Sequence, residues 1–167
     1  AFDSKTRQCQ SSVVCPLTEA SFIHPGDAGD CPSTPLPGGS SCVPTCEAGL
    51  TASGAFKCSE TGIVENTFEC SLEMSVGLSG LTPNDFTKDP LLADVFKDTV
   101  GQVAGTTVAS TDVRNVLASD PGPDSASTVK VTFSIKMTTA GQQPTVKQAF
   151  AAGITDGTFT SQYQQNL

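Results

Sequence analysis

Residues 31–70 read CPSTPLPGGSSCVPTCEAGLTASGAFKCSETGIVENTFEC. Five of the seven cysteines lie in this stretch, and the other two, Cys9 and Cys15, precede it. The stretch is rich in Gly, Pro, Ser and Thr, so it has too few apolar side chains to hold itself together by burial alone. This composition predicts a module stapled by disulfides, which form and persist outside the cytosol.

The cysteine distribution divides the chain of 167 residues into unlike halves, because no cysteine follows Cys70. Only 37% of the residues are hydrophobic, and a small domain with so little core usually needs covalent staples. We predict two small domains behind an N-terminal arm. The arm covers residues 1–14, a disulfide-rich all-β module covers 15–70, and an α+β domain covers 71–167.

The charge balance narrows the classes of partner. The formal net charge is −8 and no cluster of basic residues is visible, which argues against nucleic acid and against anionic membrane surfaces. The apolar runs are too short to span a bilayer, so no membrane insertion is expected. We predict an extracellular or cell-surface protein whose Ala1 is a processed N-terminus. The many Ser and Thr residues leave O-glycosylation open.

The second half alternates between two periodicities. Apolar residues at every second position, Met74 to Leu78, predict a strand that Pro83 and Asn84 interrupt. Asp89 is placed to cap a helix that begins at Pro90 and ends at Gly105. A less regular strand is predicted over 108–117, a hairpin loop over 120–124 and the clearest strand over 129–137.

The last predicted element is a helix that opens at Pro144 or Thr145. Gly153 and the pair Asp156-Gly157 are predicted to interrupt it, and Phe159 and Tyr163 lie on a final helical turn. The order strand, helix, strand, strand, helix (βαββα) is a ferredoxin-like split βαβ pattern with its final strand missing.

The cysteine-rich stretch resembles the second half of a sushi (complement control protein) module. The matching residues are Cys46, Gly49, Gly54, Cys58, Gly62 and Cys70, and Cys15-Pro16 resembles the opening of that module. Leu50 stands where the family usually has Tyr, and Ile63 or Val64 stands where it has a buried Trp. The segment from Gly29 to Gly54 is also similar to sushi-like repeats in surface proteins of algae and other protists.

The cysteine count alone leaves fifteen pairings of six cysteines open. The resemblance implies that Cys15 pairs with Cys58 and Cys46 with Cys70, which leaves the additional pair Cys31 and Cys42. Cys9 makes the count odd, and it is either an unpaired thiol or a covalent link to another chain. In either case we expect at least three intrachain disulfides and at most one free thiol.

The second half resembles SEA-like domains that accompany sushi-like repeats in algal surface proteins. The matching features are the turn Gly80-Leu81-Thr82, the helix with Phe96, the 129–137 strand and the helix with Ala149-Phe150. The Gly-Ser self-cleavage motif of some SEA domains is absent, so no autoproteolysis is expected.

Candidate chemistry is sparse. His24 precedes Asp27 and Asp30, but one histidine with two loop carboxylates falls short of the three or four ligands in fixed geometry that a metal site needs. The carboxylates of Asp120 and Asp124 lack the ligand spacing of an EF-hand and indicate a solvated hairpin tip. We therefore predict no catalytic residues, no metal, no cofactor and no enzyme activity.

The leading functional hypothesis is a structural or adhesive extracellular subunit of a protist surface coat, appendage or filament. Its partners would be proteins, including copies of itself in a polymer. The alternative is a soluble extracellular recognition domain that binds carbohydrate or a protein ligand.

The missing final strand predicts a bare sheet edge, which invites another strand. A continuation of the chain past Leu167, the chain's own arm, or the arm of a neighbouring subunit would fill it. The last option makes Phe2, and with it Val13 and Val14, interface residues.

Overall fold

The computed structural model describes residues 13–17, 25–32, 35–105, 107–123 and 127–167. The first part is built from short strands: β1 Val14–Cys15, β2 Gly26–Asp27, β3 Leu36–Pro37, β4 Ser41–Cys42, β5 Thr45–Cys46, β6 Thr51–Ser53, β7 Phe56–Cys58 and β8 Val64–Asn66. The second part contains three longer strands and four helices: β9 Glu69–Leu78, α1 Pro83–Lys88, α2 Pro90–Ala104, β10 Val113–Ser119, β11 Val129–Met137, α3 Gln142–Thr155 and α4 Thr158–Asn166.

Three disulfides staple the first part, joining Cys15 to Cys58, Cys31 to Cys42 and Cys46 to Cys70. These are the pairs that the sushi resemblance implies. Five of the six cysteines are buried, and they form a small core together with Leu36, Phe56 and Phe68. The chain is therefore a β-rich protein with three disulfides in its first part and a helix-containing second part, as the composition predicts.

One antiparallel hairpin runs from the first part into the second. Thr51 faces Ser71 at its base and Cys58 faces Val64 near its tip, so β6 and β7 oppose β8 and the start of β9 in an unchanged register. Gly54 interrupts the strand at φ +75° without shifting the register, and Thr67 closes the gap by donating its backbone N–H to the carbonyl of Ala55 at 3.1 Å. We call this hairpin, residues 51–71, the ribbon.

The main sheet has the order β10-β11-β9-β6, and all of its pairs are antiparallel. β11 pairs with β9 from Val129 opposite Leu78 to Met137 opposite Cys70, with no shift in register. The predicted domain boundary between residues 70 and 71 therefore lies inside a continuous strand. The last short strand of the sheet, β6, comes from the disulfide-rich part.

The core of the second part lies between this sheet and the helices. Phe96 of α2 is fully buried and makes edge-on ring contacts with Phe86, Phe133, Phe159 and Tyr163, at centroid distances of 5.2 to 6.4 Å. Such edge-on pairs add stabilisation beyond the area that they bury. The alternating apolar residues of β9 and β11 form the other wall.

Helix α2 agrees with its sequence signals. Asp89 caps it by accepting the N–H of Leu91 at 2.9 Å, Pro90 is its first residue, and Gly105 follows it with φ +99°. Strand β11 also has the predicted bounds, and Phe159 and Tyr163 are buried on α4.

The strand pattern does end before Pro83 and Asn84, and these two residues begin a helix, α1, that was not predicted, because Thr82 and Asp85 form a capping box around its first turn. Two local predictions are wrong. The strand predicted over 108–117 starts later, at Val113, because residues 110–112 form a 3₁₀ turn that the Asp112 carboxylate closes on the N–H of Ala109.

The second wrong prediction concerns Gly153, which lies inside α3 instead of interrupting it. A Cβ at this position would lie 2.4 Å from a methyl group of Val103, so the glycine lets α3 approach α2 closely. Gly157 does separate α3 from α4, with φ +78°.

Candidate functional site

The predicted bare edge is present but shorter than expected. β6 covers β9 only over Glu69–Ser71, and no described strand pairs with the same side of Leu72–Leu78. Strand β6 of the disulfide-rich part thus pairs with the first residues of β9. It was not among the three segments that were predicted from the sequence for this edge. We call Leu72–Leu78 the open edge. Because alternate residues of a strand direct their N–H and C=O groups to each side, the groups that Leu72–Leu78 direct to this side have no strand partner among the described residues.

The opposite edge of the sheet is built differently. The register of β10 shifts between Arg114 and Leu117, and Asn115 has φ +53°. Its side-chain amide donates to the hydroxyl of Ser134 at 3.0 Å, which fixes the irregularity against β11. A bulge of this kind blunts an edge against strand addition. The open edge of β9 carries no such shift and is therefore the more receptive of the two.

A groove of about 330 Å³ lies at the end of the open edge. Leu78, Leu81 and the C-terminal Leu167 are among its lining residues, and Tyr163 of α4 closes one side. Burial and then the nearby Asp89 carboxylate raise the pKa of Tyr163 to about 12. Its hydroxyl is buried without a hydrogen-bond partner among the described residues.

Contacts between the two parts fix the base of the ribbon against helix α3. The carboxylate of Glu47 accepts the N–H of Gly141 at 3.2 Å, and the Gln143 amide donates to the carbonyl of Gly49 at 3.0 Å. Leu50 packs against both hydrophobic cores. Leu50 thus connects the two parts.

Glu69, the first residue of β9, forms ion pairs with two basic side chains on the outer face of the sheet. Its carboxylate accepts from Lys136 of β11 at 3.0 Å and from Arg114 of β10, so that it ties three strands together. Burial alone would raise the pKa of Glu69, but the hydrogen bonds and charges of Lys136 and Arg114 outweigh it and hold the pKa below its ordinary value of 4.5.

Replacing Glu69 by Gln is expected to lower the free energy of unfolding by about 1 kcal/mol at pH 7, the upper range for a partly exposed ion-pair network. Because the folded-state pKa is depressed, this stabilisation is present above pH 4.5 and is lost as the pH falls through the folded-state value. Urea unfolding of both proteins at pH 7 and at pH 3 measures the difference.

The matched control for this substitution is Glu65→Gln, since Glu65 is an exposed ribbon residue without an ion pair among the described residues. We expect it to leave stability unchanged at both pH values. A Glu69→Gln effect that persists at pH 3 would contradict the charge-based explanation.

The other predicted site residues are distributed as follows. Val13 and Val14 are 39% and 45% exposed beside the ribbon tip, where the backbone carbonyl of Val13 accepts the N–H of Gly38. Phe2, Cys9, His24 and Asp124 lie outside the described residues. Asp27 and Asp120 are exposed.

Asp30 lies near the sulfurs of Cys31 and Cys42, which are bonded to each other. Its carboxylate accepts the N–H of Val43. The arrangement of Asp30 is thus accounted for by a loop contact beside a disulfide.

A second, larger groove of about 690 Å³ lies between α2 and β10. Asp94, Lys97, Asp98 and Arg114 bring both signs of charge to its lining. Lys97 already pairs with Asp94 at 3.0 Å. The groove is open, and its lining combines these charged side chains with apolar ones such as Val113 and Val116.

Within the described part of the chain, every helix is too short or too polar to cross a membrane. No family model matches the chain, and neither curated proteins nor solved structures show a significant match to it.

Proposed function

We propose that this chain is a non-enzymatic structural or adhesive subunit of a protist cell-surface coat, appendage or filament. In this proposal a sushi-like module and a SEA-like domain act outside the cell as one subunit, which assembles through protein–protein contacts. The three disulfides support the extracellular location, because such bonds persist in oxidising compartments.

The observation that carries the proposal is the open edge at one end of a stapled, continuous ribbon. The strand order β10-β11-β9 with α2 and α3 has the arrangement of a split βαβ unit whose fourth strand is completed only in part, by β6. A regular edge without a bulge or inward charge is a site for pairing with another chain. The fixed contacts between the two parts suit a subunit that must hold its shape in an assembly.

The test is the state of the purified protein over a range of concentrations. Sedimentation velocity is expected to show mass increasing with concentration, and negative-stain electron microscopy is expected to show filaments or arrays. Monodisperse monomers at every concentration would contradict the proposal.

The charged groove between α2 and β10 favours one second candidate, a soluble domain that recognises carbohydrate or a protein ligand. In that case a glycan array or titration calorimetry should find a ligand whose binding is weakened by Asp98→Asn. Substitutions on the open edge should leave that binding unchanged.

A further inference from the structure

We propose that the open edge of β9 takes residues 2–8 of a second copy of this chain as an added antiparallel strand, joining copies head to tail. This inference rests on the proposed function, because it names the contact through which the subunits would assemble.

The acceptor strand has two chemically distinct faces. The side chains of Leu72, Val76 and Leu78 are buried on the helix-covered face, whereas Glu73 and Ser75 are exposed on the outer face. An incoming antiparallel strand would run in the same direction as β6 and end where β6 begins, opposite Ser71. The added strand and β6 would then form the two consecutive halves of one edge.

The sequence of the arm fits this strand in a register in which residues 2–8 cover the whole open edge. Successive side chains of a strand point to opposite faces, so Phe2 lies on one face and Arg7 on the other. When Phe2 stands opposite Leu78, Arg7 stands opposite Glu73. Gln8 then stands opposite Leu72, the last open position before Thr51 of β6.

In this register Phe2 lies on the inner face at the groove lined by Leu78, Leu81 and Leu167. The ring is the only large apolar side chain in residues 2–8, and the groove lies at the Leu78 end of the open edge. The other inner-facing residues of the arm are Ser4, Thr6 and Gln8. Ser4 and Thr6 are small enough to lie over the buried side chains of β9, and Gln8 lies at the end of the strand opposite Leu72.

The outer face supplies charge complementarity. Glu73 is exposed and has no ion-pair partner among the described residues. Residues 2–8 carry Lys5 and Arg7 against one Asp3, in a chain whose net charge is −8. Because copies of so acidic a chain repel each other, a basic arm opposite an acidic strand offsets the repulsion at the contact.

The ribbon decides between the chain's own arm and a neighbour's arm. Val13 packs near Gly62 at the ribbon tip, and about ten residues at about 3.3 Å each separate this tip from Leu72, a distance of about 33 Å. Even a right-angle bend at Gly54 would leave about 24 Å of direct distance. The five residues from Gln8 to Val13 span at most about 18 Å when fully extended. The arm therefore reaches this register only on another copy.

Val13, where the described residues begin, lies at the ribbon tip, whereas the open edge begins beyond the ribbon base, so a copy that accepts an arm still offers its own. A head-to-tail contact of this type extends into an open chain of subunits unless its rotation closes a ring.

A disulfide trap in the full chain tests the register directly. In a Cys9→Ser background, the pair Lys5→Cys and Ser75→Cys places the two thiols opposite each other on the outer face. Mild oxidation is expected to give a ladder of dimers and larger oligomers on non-reducing electrophoresis, which collapses on reduction. The matched control is Thr6→Cys with Ser75→Cys, in which the two thiols lie on opposite faces. A ladder of equal yield in the control, or none in the test pair, overturns the proposal.

Charge exchange provides an independent measurement without new thiols. Arg7→Glu and Glu73→Arg are each expected to weaken self-association at least tenfold by sedimentation, and the double variant is expected to recover most of it. Phe2→Ser is expected to weaken it by a similar factor, since it removes one buried aromatic side chain. Both singles with wild-type association would contradict the proposed contact. Circular dichroism of each variant checks that the fold is retained.

The two proposals fail in different ways. Wild-type protein that forms filaments while the trap and charge exchange have no effect leaves the structural function standing and removes this contact. Wild-type protein that stays monomeric and gives no trapped ladder removes both.

Discussion

Replacing both Cys15 and Cys58 by alanine is expected to lower the free energy of unfolding by about 4 kcal/mol, because the bond between them closes the longest of the three loops. The two cysteines are 43 positions apart, and the entropy that a cross-link removes from the unfolded chain grows with the logarithm of loop length. Both are buried, so their loss also opens the small core around Phe56. Urea unfolding followed by circular dichroism measures the change.

The matched control is the pair Cys31 and Cys42, which are only 11 positions apart. Their replacement by alanine is expected to cost about 3 kcal/mol by the same chain-entropy relation. If the two double variants lose equal stability, or if the shorter loop costs more, then loop entropy does not govern the stability of the module.

The second large effect is expected at Phe96. Truncation to alanine removes the ring that contacts Phe86, Phe133, Phe159 and Tyr163, and a buried Phe→Ala substitution costs about 3–5 kcal/mol. Those four rings come from α1, β11 and α4, so the cavity lies where three elements meet on α2. Thermal or urea unfolding of the variant gives the value.

Two controls separate this cavity from a general effect on helix α2. Leu91→Ala lies on the same helix, but Leu91 is 61% exposed, and the substitution is expected to change stability by less than about 0.5 kcal/mol. Phe96→Leu keeps most of the apolar volume and should lie between the two. A Phe96→Ala cost no larger than that of Leu91→Ala would contradict the central role of the aromatic cluster.

Local signals predicted the elements that depend on neighbouring residues alone. The apolar alternation of β11 lies within a single strand, and the start and stop signals of α2, which are Asp89, Pro90 and Gly105, lie at the two ends of a single helix. The interactions that decide these elements are therefore between residues close together in the sequence. Helix α1 was predictable in principle, since Thr82 and Asp85 have capping-box spacing, but Pro83 was interpreted only as a breaker.

Pairing between distant segments was harder to predict. β6 has only Thr51, Ala52 and Ser53, whose side chains are exposed and carry no apolar alternation. Its place beside β9 follows from the ribbon register and the bond between Cys46 and Cys70, neither of which a local pattern contains. For the same reason the sequence predicted a bare edge but not which part of it remains open.

The geometry of the ribbon and its cross-links also sets how the subunit responds to tension. When a force is applied between Val13 and Leu78, it is transmitted from Cys15 through its disulfide to Cys58. The loop of residues 16–57 that this bond closes therefore cannot lengthen the molecule by unfolding. Two segments of about twelve residues each then transmit the force from Cys58 to Cys70. One is the chain from Cys58 to Cys70, and the other is the chain from Cys58 back to Cys46, which is bonded to Cys70 by its disulfide. Full extension of these routes lengthens the ribbon by only about 20 Å, whereas a freed loop of 43 residues would add more than about 100 Å. The disulfides thus limit the extension of this part of the molecule to a small fraction of what the uncrosslinked chain would allow.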